Sequence, residues 1–523
     1  MKAAIGLDFG TESVRALVVG LDGMELATAA SAYRHGQITD ALPGGGGKLP
    51  PEHALQHPGD WEESVVEAVR GALAACGAVE IVGIGVDFTS CTMLPVLADG
   101  TPLCLTEKFS RTAQAWPKLW KHHGAGEQTA RINAVARERG EGFLTRYGGE
   151  IGIEWLFPKI LETFDKEPDA YDAAEVWLEA GDWLVWRLVG GDAASMPRST
   201  CQAGYKGMWS AEDGYPSAEF FEEVRPGFSS VLGKLPGRLM APGTRAGGLC
   251  AEWAQRFGLV EGTPVSVAII DAHAGVPGAG AAEEGTLVMV MGTSSCHMLN
   301  STRMTDVPGV AGIVKDGILP GFHGYETGQA AVGDAFEWLR KLTGQADFRA
   351  MAAEADLLPP GADGVFCVDW MNGCRTPLMD ASLRGMFGGL GLNHGPAHLY
   401  KALMEASAFG VKWIVGMLEE SGVPVERFVA TGGLPHHNPS LVGIYADVLE
   451  KSISVHPCTQ GPALGAAILG ALAAGAFPTP EEAILAMGRP GAGRVFSPDK
   501  ERSERYQELY LRYLEWAGIL RAS

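Results

Sequence analysis

The sequence predicts an α/β fold of layered sheets and helices, arranged as two similarly built halves. Three observations carry that expectation. The chain has 523 residues, more than one hydrophobic core ordinarily serves. Short apolar runs alternate with stretches of helical periodicity. One hairpin plan occurs twice, starting near residue 4 and again near residue 287.

The strand-like runs are "AAIGLDF", "VRALVVG", "IVGIGVDF", "PVSVAII", "TLVMVMG", "GVFCVDW" and "RFVATGG". Each is short, apolar and bounded by Gly, Asp or Thr. Helical patterns separate many of them, including "DWEESVVEAVRGALAACG", "GDAFEWLRKLTG", "AHLYKALMEASAFGVKWIVGMLEESG" and "KERSERYQELYLRYLEWAGILRA". The repeated plan is an apolar strand, a Gly-Thr-x-Ser turn and a second apolar strand, in "AIGLDFGTESVRALVV" and "LVMVMGTSSCHML". A division near residue 265 follows, giving an N-terminal domain 1–265 and a C-terminal domain 266–523. The longest uncharged stretch, "PALGAAILGALAAGAFPTP" (462–480), is short for a membrane span. Its Ala and Gly content predicts a buried helix that packs closely. The Gly-rich stretch 43–51 lacks Gly-Lys-[Ser/Thr] and a flanking strand or helix, so it reads as a surface loop rather than a phosphate loop.

With 46% hydrophobic and 20% charged residues, the chain can bury a core and is not a disordered polymer. A formal net charge of -21 repels phosphate backbones, which disfavours nucleic acid and anionic membranes as partners. A local cationic pocket can still take a small anion such as a nucleotide. The nine cysteines form no C-x-x-C pair, and several lie in apolar runs, as expected for reduced thiols of a cytoplasmic protein. "MKAAIGLDFG" reaches Asp8 before any long apolar region, unlike a signal peptide.

Asp8 stands inside an apolar run. A protein-kinase reading of Asp8-Phe9-Gly10 requires a Gly-rich loop, a partner lysine and a His-Arg-Asp loop upstream, and the seven preceding residues hold none of them. Gly10, Thr11 and Ser13, echoed by Gly292, Thr293 and Ser294, offer backbone N–H groups and hydroxyls to phosphate oxygens. Two such turns facing each other could grip one triphosphate, with Asp8 holding Mg²⁺. The same residues also serve as plain hairpin turns with Asp8 as a turn cap, and local sequence leaves both readings open.

In "SVAIIDAHAGVPGAGA" an apolar strand delivers Asp271 to a helix start. There a carboxylate can cap the helix or accept a proton from an attacking hydroxyl. His273 offers a second base or a core histidine. In "ATGGLPHHN", Gly432 and Gly433 leave bare backbone on which an adenine ring could lie, with Asn438 as a polar neighbour; a ligand-free helix start is the alternative. His436 and His437 are adjacent, a spacing that seldom converges on one metal ion.

The order "DFGTES", "IIDAHA", "VMGTSS", "TGGLPHHN" and "PALGAAILGA" resembles the FGGY carbohydrate kinases, from residue 1 to about 475. "GMFGGLGLNHGPAHLYKALMEA" resembles that family's C-terminal signature, with Leu403 a mild departure. The resemblance implies two actin-like, ribonuclease H-like ATPase domains with an active-site cleft between them. It also implies ATP and Mg²⁺ as cofactors and Asp271 as catalytic base, with Mg²⁺ held at Asp8 and Asp271 through water or phosphate. "GVDFTSCTMLPV", "KLWKHH", "RYGGEIGIEW", "CQAGYKGMW", "GYETGQAAVGD" and "VDWMNGCRTP" resemble the branch that phosphorylates L-ribulose in L-arabinose catabolism. That branch places Lys206, Glu326, Thr92 and Met93, with Asp271, around a ketopentose, and it allows a homodimer. Trp120 in "KLWKHH" reads as a packing residue. Kinases for D-ribulose, ribitol or xylulose are the near alternatives. An actin- or chaperone-like nucleotide-driven binding protein is the alternative of a different class.

Overall fold

The structure is a computed structural model that describes residues 1–45, 47–491 and 493–522. Two seven-stranded mixed sheets with helices packed against them form two α/β domains. In the first sheet, strand Lys2–Phe9 pairs antiparallel with Ser13–Gly20, which pairs antiparallel with Glu25–Ala32. On its other side, Lys2–Phe9 runs parallel to Glu80–Phe88, which runs parallel to Pro264–Ser266. The antiparallel strand Arg245–Gly248 closes that edge.

The second sheet repeats this plan. Thr286–Met291 pairs antiparallel with Ser295–Ser301, which pairs antiparallel with His323–Gln329. Thr286–Met291 also runs parallel to Arg427–Thr431, which runs parallel to Ile453–Val455, and the antiparallel Arg494–Phe496 follows. The repeated Gly-Thr-x-Ser hairpin is thus the visible part of a repeated sheet.

Two expected strands take a different form. "PVSVAII" is two short pieces, Pro264–Ser266 and Ile269–Ile270, both paired with Glu80–Phe88. The break falls where the Val267 N–H turns away to donate to the Thr244 carbonyl at 2.9 Å. The division expected near 265 passes through the first piece. In "GVFCVDW" only Phe366–Val368 is extended, paired with Met386–Gly388 in a separate two-stranded sheet.

The uncharged stretch forms helix Gly461–Ala473, nearly all of it buried. It lies against strands Lys2–Phe9 and Glu80–Phe88 and against helix Asp271–Gly278. Small residues decide this contact. A Cβ on Gly85 would overlap the Ala466 carbonyl oxygen, and one on Gly465 would overlap that of Ala274. Among the described residues, no helix is long and apolar enough to cross a membrane. In the stretch 43–51, Gly44, Gly45, Gly47 and Lys48 are exposed, and Gly46 lies outside the described residues.

A mainly helical, aromatic-rich region between residues 103 and 235, which also holds the short strands Val176–Glu179 and Pro197–Ser199, has its own apolar cluster. Its helix Thr200–Lys206 approaches strand Gly312–Lys315 of the second domain. This crossing brings residues of the two halves together.

Candidate active site

Three aspartates gather at the carboxyl ends of adjacent parallel strands, the usual position for a site in α/β sheets. Asp8 is register-paired with Asp87 across strands Lys2–Phe9 and Glu80–Phe88. Ile269 is register-paired with Asp87 in turn, and Asp271 follows two residues later. The Arg15 guanidinium donates to Asp8 Oδ2 at 3.0 Å. Both Asp87 oxygens are buried and find no donor among the described residues. Burial, then the charges of Asp8 and Asp271, push the Asp87 carboxyl well up. One guanidinium among three carboxyls leaves an oxygen-rich, electron-rich corner, whose donor set suits a hard divalent cation such as Mg²⁺.

Asp271 opens helix Asp271–Gly278 as its first helical residue, while Ile270 holds the N-cap position. Its Oδ1 accepts the Ala272 N–H at 2.7 Å. Burial, reinforced by Asp8 and Glu326, pushes its carboxyl up to about 7 against the opposing Ala272 N–H and Lys206. A carboxylate tuned near neutrality is suited to accept a proton in the transition state.

Both Gly-Thr turns close as hairpins. The Gly10 N–H donates to the Ser13 carbonyl at 3.0 Å, and the Gly292 N–H to the Ser294 carbonyl at 2.9 Å. Thr293 is exposed, with Gly292 and Ser294 half-buried; Gly10, Thr11 and Ser13 are half-buried. Gly432 sits at φ 93°, and a Cβ there would lie 2.5 Å from the Met291 carbonyl oxygen. A glycine at this point therefore seats the "GGLPHH" turn directly on the second hairpin.

The Lys206–Glu326 pair joins the two domains. Lys206 Nζ donates to Glu326 Oε1 at 3.2 Å and to Oε2 at 3.1 Å. Burial pushes the Glu326 carboxyl up, but Lys206, His273 and Arg375 together hold it well below the usual carboxylate range. His273 Nε2 stands 3.4 Å from Glu326 Oε2, buried beside the pair, and burial lowers its pKa. The Trp155 ring lies 5.6 Å from Lys206 Nζ.

Three expected residues have other engagements. Thr92 is fully buried, and its hydroxyl shares a 2.7 Å hydrogen bond with that of Thr89. Met93 is fully buried in the aromatic-rich cluster. Asn438 Oδ1 accepts the Leu441 N–H at 3.1 Å, capping helix Pro439–Leu449, and its Nδ2 donates to the Tyr400 hydroxyl at 3.0 Å. Its amide is committed on both sides.

Sequence reasoning missed two residues. Asp87 stood in plain view in "GVDFTS", the same Asp-Phe pair as in "LDFGTES", and that likeness was its signal. Trp120, expected to pack, is exposed on one side, and its indole N–H donates to Thr11 Oγ1 at 3.1 Å. The segment under it is anchored by Lys118 Nζ and His122 Nε2, which stand 2.8 and 2.7 Å from Glu162 Oε2.

Residues 287–474 match the C-terminal domain of the FGGY family of carbohydrate kinases. The chain is 43% identical over 531 aligned residues to a ribulokinase of Anoxybacillus flavithermus, covering 98% of this chain and 93% of that protein. It is 44% identical to a ribulokinase of Shouchella clausii, with 98% and 94% covered. The fold matches the crystal structure of xylulose kinase from Rhodospirillum rubrum with a TM-score of 0.83 at 23% identity, over 99% of both chains. Likeness of this extent in sequence, with the matched C-terminal domain and the paired cleft, has one reading: the chain belongs to the FGGY family of carbohydrate kinases.

Proposed function

We propose that this chain transfers the γ-phosphoryl group of ATP to O5 of ribulose, with L-ribulose as the preferred ketopentose, a step of L-arabinose catabolism. The observation that carries the reading is the position of Asp271. It opens a helix directly after strand Ile269–Ile270, which lies beside Asp87, itself in register with Asp8, and the charges of Asp8, Glu326 and Lys206 act on it. Relatives at 43–44% identity along nearly the whole chain are ribulokinases, which supports ribulose over other acceptors.

In this reading Lys206 and Glu326 bind hydroxyls of the sugar, and Asp271 takes the proton of the attacking hydroxyl. The O5–P bond forms as the bond from Pγ to the bridging oxygen breaks, and ADP leaves with that electron pair. Gly10, Thr11 and Ser13, facing Gly292, Thr293 and Ser294, donate to the phosphate oxygens. Gly432 and Gly433 give the adenine a bare backbone floor, with Asn438 fixing the following helix. Mg²⁺, when bound, neutralises phosphate charge, and Asp8 and Asp271 are the residues to hold it. Phosphoryl transfer needs mainly alignment and charge stabilisation, so this set of groups suffices. The Lys206–Glu326 bridge between domains favours a closed cleft that limits ATP hydrolysis by water. The nine unpaired thiols fit a cytoplasmic enzyme.

The test is ADP release with L-ribulose, D-ribulose, xylulose and ribitol, each with and without EDTA. L-Ribulose should give the highest kcat/KM, and EDTA should abolish turnover. ADP release that no sugar stimulates would refute the reading in favour of a nucleotide-driven binding protein.

A further inference from the structure

The reaction proposed above imposes a chemical condition on its substrate. A 2-ketopentose closes to a furanose by attack of its own O5 on C2, so O5 is a free nucleophile only in the open-chain form. A kinase acting on O5 must therefore hold an acyclic chain with a free C2 carbonyl, and it gains by offering that oxygen strong donors.

Arg375 is placed to do this. The strand carrying Glu326 continues through Thr327 to Gly328, and alternation puts Glu326 and Gly328 on one face. Gly328 leaves that face bare, and Arg375 Nη1 stands 3.5 Å from where its Cβ would be. The neighbouring residue fixes this position: Thr376 N–H donates to the Gly328 carbonyl at 3.1 Å, and the Gly328 N–H donates to Thr376 Oγ1 at 3.2 Å. Arg375 is thus held over the strand, next along the face from Glu326. The charge of Arg375 acts on Lys206, Glu326 and Cys296.

Its donors are uncommitted. Among the described residues the only hydrogen-bond contact of its side chain is a weak one from Nη1 to Cys296 Sγ at 3.8 Å, and no carboxylate comes within ion-pair distance of it. A half-buried guanidinium without a carboxylate partner is an unusual element in a protein. Lys206, by contrast, already spends two donors on Glu326.

We propose that Arg375 is a specificity-determining residue that donates to the carbonyl oxygen of the open-chain ketose and so sets the preference for ketopentoses over pentitols. The inference rests on the ribulose reading above. A planar fork suits a carbonyl acceptor, and an unmet, half-buried cation penalises a substrate that fills the site less well.

The experiment compares wild type with Arg375→Met and Arg375→Lys, using L-ribulose and ribitol as acceptors and measuring KM for ATP alongside. Arg375→Met should raise the ketose KM by about tenfold to a hundredfold, the scale of a lost charged hydrogen bond. It should lower the ketose-to-pentitol ratio of kcat/KM by about tenfold and leave the ATP KM within about twofold. Arg375→Lys should fall between it and wild type. If Arg375→Met does not fold, the lysine variant decides alone. An unchanged ketose-to-pentitol ratio in a folded variant, or an equal loss on both acceptors, overturns the proposal. Wild type that ignores L-ribulose overturns the ribulose reading itself, and this inference falls with it.

Discussion

Replacing Asp271 by Asn keeps the side chain's size and its oxygen for the Ala272 N–H, which it accepts at 2.7 Å, and removes only the base. Loss of a general base costs roughly 10²–10⁴ in kcat. The structure adds a pH signature. Burial holds the Asp271 carboxyl up to about 7 rather than its ordinary 3.8. Wild-type kcat/KM should therefore climb about tenfold per pH unit below that value and level off above it, whereas the Asn variant should lack this limb. Stability moves the other way. Because the folded-state pKa lies above the unfolded one, ionising the buried group opposes folding. The cost is absent below about pH 4, grows as pH rises towards 7, and is fully present above it. Asp271→Asn should therefore raise the melting temperature at pH 8, and that gain should shrink towards pH 4. Steady-state kinetics from pH 5.5 to 9, with thermal unfolding at pH 4.5 and 8, measures both. Near-normal turnover in the Asn variant, or an acid limb that persists unshifted, would refute the assignment of Asp271 as base.

Two further outcomes follow from the cleft and from the contact beneath it. Thr293→Ala removes an exposed hydroxyl of the second hairpin and should raise the ATP KM by about tenfold with the ketose KM little changed; Thr11→Ala should do the same and also release the Trp120 indole, seen as a change in tryptophan fluorescence. Normal ATP use in both variants would remove the two-hairpin grip. Gly465→Ala forces a methyl against the backbone carbonyl of Ala274, which cannot rotate away. Overpacking of this kind should cost about 3 kcal/mol, read as a lower urea midpoint, and should also lower activity because Ala274 lies on the helix that Asp271 opens. A midpoint equal to wild type would show that the two helices slide apart freely.

The features legible in the sequence are those written within a few residues of one another. Hairpin turns at Gly10 and Gly292 follow from glycine between apolar runs, and the buried helix 461–473 follows from a long stretch of Ala and Gly. Asp271 was exposed as a candidate by the apolar run that delivers it. The first sheet's last strands were less legible, because the Val267 N–H leaves the strand for Thr244, and such a detour depends on a neighbour more than twenty residues away. Asn438 illustrates the opposite limit: its composition suits a ligand contact, but the start of helix Pro439–Leu449 claims its oxygen and Tyr400 its nitrogen.

What the sequence by itself determined is the chemical kit: two Gly-Thr turns, carboxylates at the ends of apolar runs, and a lysine and a glutamate in separate halves. Local periodicity and turn chemistry are enough for that, since each depends on a few consecutive side chains. Only the tertiary structure decided which of them meet. Asp8 reaches Asp87 because their strands lie side by side in register, and Lys206 reaches Glu326, 120 residues further on, because a helix of one domain crosses to a strand of the other. Arg375 stands over Gly328 for the same reason. Contacts of that span are fixed by sheet order and by glycines that let backbones close, and no window of sequence contains both partners.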